Sequence, residues 1–189
     1  MKKRLFIAVD ISDEARESAA AHIQNLKMAN PDSRVSWTKP DNLHLTLKFL
    51  DDVREERIPS LISALDNIRK GFTEFELAVA GTGVFPSPRK PKVLWLGVND
   101  RSGTLKSLAK EIDAALTKLD FPKEERDFSP HLTIGRIRDP RSGRNIARAH
   151  IQHDFAAIRF TVDEFVLYES KLSPSGSVYT PVSKFRLSE

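Results

Sequence analysis

The run LHLTLKF, residues 43–49, alternates apolar and polar side chains as a strand with one buried face does, and HLTIGRI, residues 131–137, repeats its opening with a second His-x-Thr triplet. Successive strand side chains point to opposite faces, so Leu43, Leu45, Leu47 and Phe49 should share the core face while His44, Thr46 and Lys48 share the other. In the second run Leu132 and Ile134 should turn inward and His131 and Thr133 outward. Each triplet thus sets an imidazole beside a hydroxyl, about 6–7 Å apart at the backbone. Five His and nine Thr in 189 positions make about 0.24 such triplets the random expectation, so two in matched contexts carry information. A single polar pair on a strand is otherwise just a solvated face.

The surroundings of the two runs also match. Strand patterns occur at 4–9, 34–38, 43–49, 75–85, 92–98, 131–137, 160–169 and 178–187. Between them lie helical stripes: Ala15, Ala19, Ile23 and Leu26 behind Ser12 as N-cap; Ile58, Leu61, Ile62, Leu65 and Ile68 closed by Gly71; Leu105, Leu108, Ile112, Leu116 and Leu119. A weaker fourth helix is expected near 142–152. RLFIAV and KVLWLGV start 88 residues apart, the two histidines stand 87 apart, and Phe75 and Phe160 stand 85 apart. That spacing predicts an internal duplication with lobes over about 4–85 and 92–170 and a terminal strand over 178–187. Two copies of such length are too few for a solenoid, so the expected fold is one α+β domain over 1–189, bilobal with pseudo-twofold symmetry, two mainly antiparallel sheets facing a cleft and helices outside. The loop FPSPRKPK (85–92) is the expected seam.

Composition narrows the function. A 40% hydrophobic chain of this length supports a full core, and a net charge of +4 tilts it mildly toward anionic partners. With no cysteine, thiol catalysis, disulfides and thiolate metal sites are excluded. The apolar run in MKKRLFIAVD is too short for a membrane or signal segment, so a cytoplasmic, monomeric protein without membrane contact is expected.

Two imidazoles could bind zinc, but neither triplet has a carboxylate or second imidazole at ligand spacing. The pair suits phosphate better. One neutral imidazole takes a proton from an attacking oxygen while a protonated one supplies the leaving oxygen, and hydroxyls beside them hold the nonbridging oxygens.

The paired motifs, with RLFIAVD, VLWLGV, FSPHLTIGRI and LYESKLSPSGSVYTPV around them, resemble the two-histidine phosphoesterases, and within them the RNA 2′,3′-cyclic phosphodiesterases of bacteria and archaea, historically called 2′-5′ RNA ligases. The resemblance implies opening of a 2′,3′-cyclic phosphate at an RNA end, or on a nucleotide, to a 2′-phosphate with no metal and no cofactor. It implies His44 as proton donor to the leaving 3′ oxygen, His131 as proton acceptor from water, and Thr46, Thr133 and Arg136 as phosphate-binding residues. Alternation alone sends Arg136 into the core, so a bulge or twist at Gly135 is needed to re-aim it. The family commonly has glycine after KFL where this chain has Asp51, which bears on the local turn. Reversible ATP-independent 2′-5′ RNA joining, or hydrolysis of another small cyclic or 2′-linked nucleotide, is the neighbouring reading, and a non-catalytic RNA-end binding module the third. Trp37 and Phe85 are candidate base contacts. Arg89, Lys90 and Lys92, or Arg138, Arg141, Arg144 and Arg148, are candidate contacts to an RNA backbone. His22, His150 and His153 have no expected partners and no expected chemistry.

Overall fold

The computed structural model describes residues 1–174 and 176–189, with the side chains of 140–142 set aside. In chain order the elements are β1 (Lys2–Asp10), α1 (Asp13–Ala29), β2 (Val35–Trp37), β3 (His44–Arg54), α2 (Ile58–Arg69), β4 (Phe75–Phe85), β5 (Val93–Asn99), α3 (Thr104–Thr117), β6 (His131–Ile137), α4 (Pro140–Gln152), β7 (Ile158–Val162), β8 (Glu164–Ser173) and β9 (Gly176–Arg186). Ser12 caps α1 through the Ala15 amide, with Asp13 and Glu14 in the first turn where the helix dipole favours anions. Among the described residues no helix is long and apolar enough to cross a membrane.

The strands form two antiparallel sheets, ordered β3-β1-β8-β9 and β2-β6-β5-β4-β7. This corrects the expectation that each sequence half builds its own lobe. β1 pairs with β3 of its own half but also with β8 of the other, and β5 pairs with β6 of its own half but also with β4 of the other. The helices cross over too: α2 and α3 contact each other and the first sheet, while α1 and α4 contact each other and the second. One continuous core results, from Leu5, Ile7 and Leu45 through Leu108 and Ile112 to Leu94, Leu132 and Ile146.

The expected strand over 160–169 is two strands in different sheets, β7 and β8, parted at Asp163. Phe160 and Val162 are buried, then Phe165 and Leu167, so the apolar positions slip from even to odd where the chain changes sheets.

The alternation in β3 also breaks. Ile7 pairs with Lys48 and Ala8 with Thr46, leaving Leu47 as an extra bulged residue. Beyond it the phase inverts: Lys48 is buried and Phe49 is 55% exposed, opposite to strict alternation. Burial of Lys48 is tolerated because its ammonium donates to Asp113 Oδ1 at 2.6 Å and to the Pro122 carbonyl at 2.7 Å. Asp51, at the position where the resemblance leads to an expected glycine, has φ of +51°, a left-handed conformation that Asp adopts more readily than most residues.

Candidate active site

His44 opens β3 and His131 opens β6, and both rings are held the same way. Nδ1–H of His44 donates to the Asn42 carbonyl at 2.8 Å, and Nδ1–H of His131 donates to the Ser129 carbonyl at 2.8 Å. Each bond reaches the carbonyl two residues back and fixes the tautomer with the proton on Nδ1, leaving Nε2 as the ring nitrogen with a lone pair. Thr46 Oγ1 lies 3.0 Å from His44 Nε2. Both histidines and both threonines are half-buried.

Pairing puts each triplet in a row on one sheet face. On the first sheet His44 lies opposite Asp10, Thr46 opposite Ala8 and Phe49 opposite Phe6. On the second, His131 lies opposite Gly97, Thr133 opposite Trp95 and Arg136 opposite Val93. The bulge recurs here, since Leu94 pairs with Gly135 and Trp95 with Thr133, leaving Ile134 extra. Arg136 is thereby exposed on the same face as Thr133; the bulge sits one residue earlier than the Gly135 position expected from sequence.

The two rows are brought together by β2 and the turn that follows it. β2 pairs with β6, and beyond it Thr38 Oγ1 donates to the Thr133 carbonyl at 2.9 Å; a short 3₁₀ turn, Pro40–Asn42, then carries the chain across to His44 in the other sheet. Six residues from Thr38 to His44 span at most about 20 Å even when extended, and β3 and β6 are in contact. Arg16 on α1 clamps that turn, donating to the carbonyls of Pro40 at 2.7 Å, Leu43 at 3.3 Å and Ile11 at 3.4 Å. Asn42 Nδ2 ties it to the Ser177 carbonyl on β9 at 2.8 Å.

Aromatic rings wall both histidines. Phe6 and Tyr179 lie 4.8 and 5.3 Å from His44, and Phe85 and Trp95 lie 5.1 and 6.4 Å from His131. Burial lowers the His44 pKa below its ordinary value, opposed by the Asn42 carbonyl and the charge of Asp10. Tyr168 donates to Asp10 Oδ2 at 2.7 Å, fixing that carboxylate across from His44.

Phe85 stands in the site against His131, but Trp37 does not. Paired with Gly135, Trp37 lies on the opposite face of its sheet from Arg136, packed on the core beneath Lys27 of α1. Arg89 and Lys90 are exposed in the loop before β5, and Lys92 is exposed where its amide bonds the Phe85 carbonyl. Arg138 donates to Ser36 Oγ at 2.7 Å beside Arg136. Arg144 and Arg148 are exposed on α4, whose buried side carries Ile146, Ala147 and His150; the side chain of Arg141 lies outside the described residues.

Sequence reasoning missed Arg16, which reads as an ordinary helix-surface cation, and Trp95, Phe6 and Tyr179, which read as core. It also left three histidines unpartnered that in fact cluster. His150 Nε2–H donates to the carbonyls of Gly83 and Trp95 at 3.1 and 3.0 Å, so its Nδ1 accepts from His22 Nε2–H at 2.9 Å, and the His153 ring lies tilted 4.4 Å from that of His22. This cluster bolts α1 and α4 to the back of the second sheet.

Known proteins share this architecture. The E. coli LigT apo structure superposes with a TM-score of 0.79 at 27% identity, covering 100% of this chain and 99% of that one. A Methanothermobacter thermautotrophicus protein named RNA 2′,3′-cyclic phosphodiesterase is 37% identical over 99% of this chain and 100% of its own length. One of the same name from Archaeoglobus fulgidus is 35% identical over 96% of this chain and 99% of its own. The LigT-like phosphoesterase family matches twice, at residues 9–95 and 96–179, once for each copy of the duplicated pattern, and the chain belongs to that family.

Proposed function

We propose that this chain hydrolyses 2′,3′-cyclic phosphates at RNA ends to 2′-phosphates, as a cytoplasmic monomer, with His44 and His131 as acid and base. The observation that carries this reading is the matched support of the two imidazoles, each with Nδ1 bonded to the carbonyl two residues back and each opening a strand on one of two sheets in contact. The names of its relatives, among them the Thermotoga maritima protein at 34% identity over 93% of this chain, support the same substrate class.

In this reading water attacks phosphorus as it gives a proton to His131 Nε2. The bond from phosphorus to the 3′ oxygen breaks on the opposite side, and that oxygen takes the proton of His44 Nε2. Thr46 and Thr133 donate to the nonbridging oxygens, and Arg136 adds a fixed positive charge where negative charge is held in the transition state. Thr46 Oγ1 turns from His44 to the phosphate to do so. Solvent then restores both protonation states.

The test is turnover of a short RNA ending in a 2′,3′-cyclic phosphate, with chelator present. The expected product is the 2′-phosphate, and His44→Ala or His131→Ala should each lower kcat by about 10²–10⁴. A 3′-phosphate product, loss of activity on chelation, or full activity in either variant counts against the reading.

A further inference from the structure

The two half-sites share one backbone plan. Each has a histidine opening a strand, a threonine two residues on, a bulged residue next and then a residue returned to the His-x-Thr face. In the second sheet that last residue is Arg136, and in the first it is Phe49. Both imidazoles are fixed by the same bond to the carbonyl two residues back, so that bond does not distinguish acid from base. The way the substrate enters can distinguish them, and Phe49 and Arg136 make the two sides of the site unlike: one aromatic, one cationic.

Phe49 is the one exposed aromatic side chain among the described residues, at 55% exposure. Its ring lies 6.0 Å from Phe6, which is buried, stacks on Tyr168 at 5.3 Å and sits 4.8 Å from His44. It is thus the accessible end of a packed aromatic wall beside the acid. Three residues of strand separate it from Thr46, at most roughly 10 Å, the scale of one nucleoside. In-line attack from the His131 side places the leaving 3′ oxygen, with ribose and base attached, on the side of His44. Resting on the function proposed above, we propose that Phe49 orients the substrate by stacking on the terminal base, so that the ribose lies against the first sheet while Arg136 holds the phosphate from the second. Phe49 is then a specificity-determining residue that sets which histidine meets the leaving oxygen. A stacked base has a π-face whatever its identity, so discrimination is against substrates lacking a base, with little preference among the four.

The experiment compares kcat/KM for a nucleoside 2′,3′-cyclic phosphate and for methyl riboside 2′,3′-cyclic phosphate, in which no base is present. Both are measured on each variant, so loss of folded enzyme cancels in the ratio. Wild type should favour the nucleoside about 5- to 100-fold, the range that base–aromatic stacking gives. Phe49→Ala should bring the ratio close to one and Phe49→Trp should restore it. A preference that survives Phe49→Ala, or that is lost in Phe85→Ala but not Phe49→Ala, overturns the role of Phe49 alone. Absence of turnover on both substrates by wild type instead contradicts the proposed function.

Discussion

His44 has to carry a proton to act as acid, yet burial lowers its pKa below the ordinary histidine value. The sign of the pH dependence follows. As pH rises the free enzyme loses the proton of His44 earlier than an ordinary histidine would, so loss of the acid form should set in at lower pH in kcat/KM than for an unburied imidazole. A bound phosphate favours the imidazolium, which should move the alkaline limb of the kcat profile to higher pH than that of kcat/KM. Steady-state rates from pH 5 to 9 measure both limbs, and coincident limbs would contradict the role of His44 as an acid tuned by the substrate's charge. At this scale the sequence was most legible: His44, Thr46, His131 and Thr133 announce themselves by repetition. Arg16 does not, because its value lies in three carbonyls, those of Ile11, Pro40 and Leu43, and backbone acceptors have no signature in side-chain pattern.

The strands carry what simple alternation conceals. A bulge after each His-x-Thr triplet inverts the phase, placing Phe49 and Arg136 on the site face and Lys48 and Gly135 on the buried one. The chain has no cysteine, so introduced thiols report this directly. Phe49→Cys and Arg136→Cys should react rapidly with a thiol reagent while Leu50→Cys is protected by at least tenfold, since Leu50 is 7% exposed. The reverse order would mean an unbulged strand. Gly83 gives a second element-scale test. A Cβ there would stand 2.1 Å from the Trp95 ring, so Gly83→Ala should cost about 1–3 kcal/mol in urea unfolding and Trp95→Leu in the same chain should recover part of it. An unchanged midpoint in Gly83→Ala would contradict the close cross-strand packing. The bulge beside Gly135 was expected only because the resemblance called for Arg136 on the site face, and the one after Thr46 was not expected at all, because a bulge is set by what the neighbouring strand pairs with. The slip from Val162 to Phe165 was readable in principle, since the apolar phase itself changes there.

Exchange of β4 and β8 between the sheets, and of α1 and α3 between the helical layers, makes the two halves interdependent. A fragment ending at residue 95 should therefore show no cooperative unfolding transition by circular dichroism, whereas the whole chain should show one; a folded fragment would contradict the exchanged topology. The duplication was legible from offsets near 87, but the exchange was not, because identical offsets result whether the third strand pairs with its own copy or the other. The buried histidine cluster adds a pH dependence to the stability of the whole. Desolvation, and then the neighbouring His150 and His153, lower the His22 pKa to about 4. The folded state thus prefers neutral His22, and its contribution is complete above the unfolded value near 6.5 and is lost progressively as pH falls from there to about 4. Urea midpoints should decline between pH 7 and 5, and His22→Leu should flatten that decline; equal slopes in both proteins would remove His22 from the account. The central claim is that both triplets close on one phosphate. A crystal structure of the chain with a nucleoside 2′-monophosphate tests it most directly: Nε2 of His44 and of His131 should flank the phosphate, with Thr46 and Thr133 on its oxygens. A phosphate bound by only one triplet, or bound elsewhere, would contradict it.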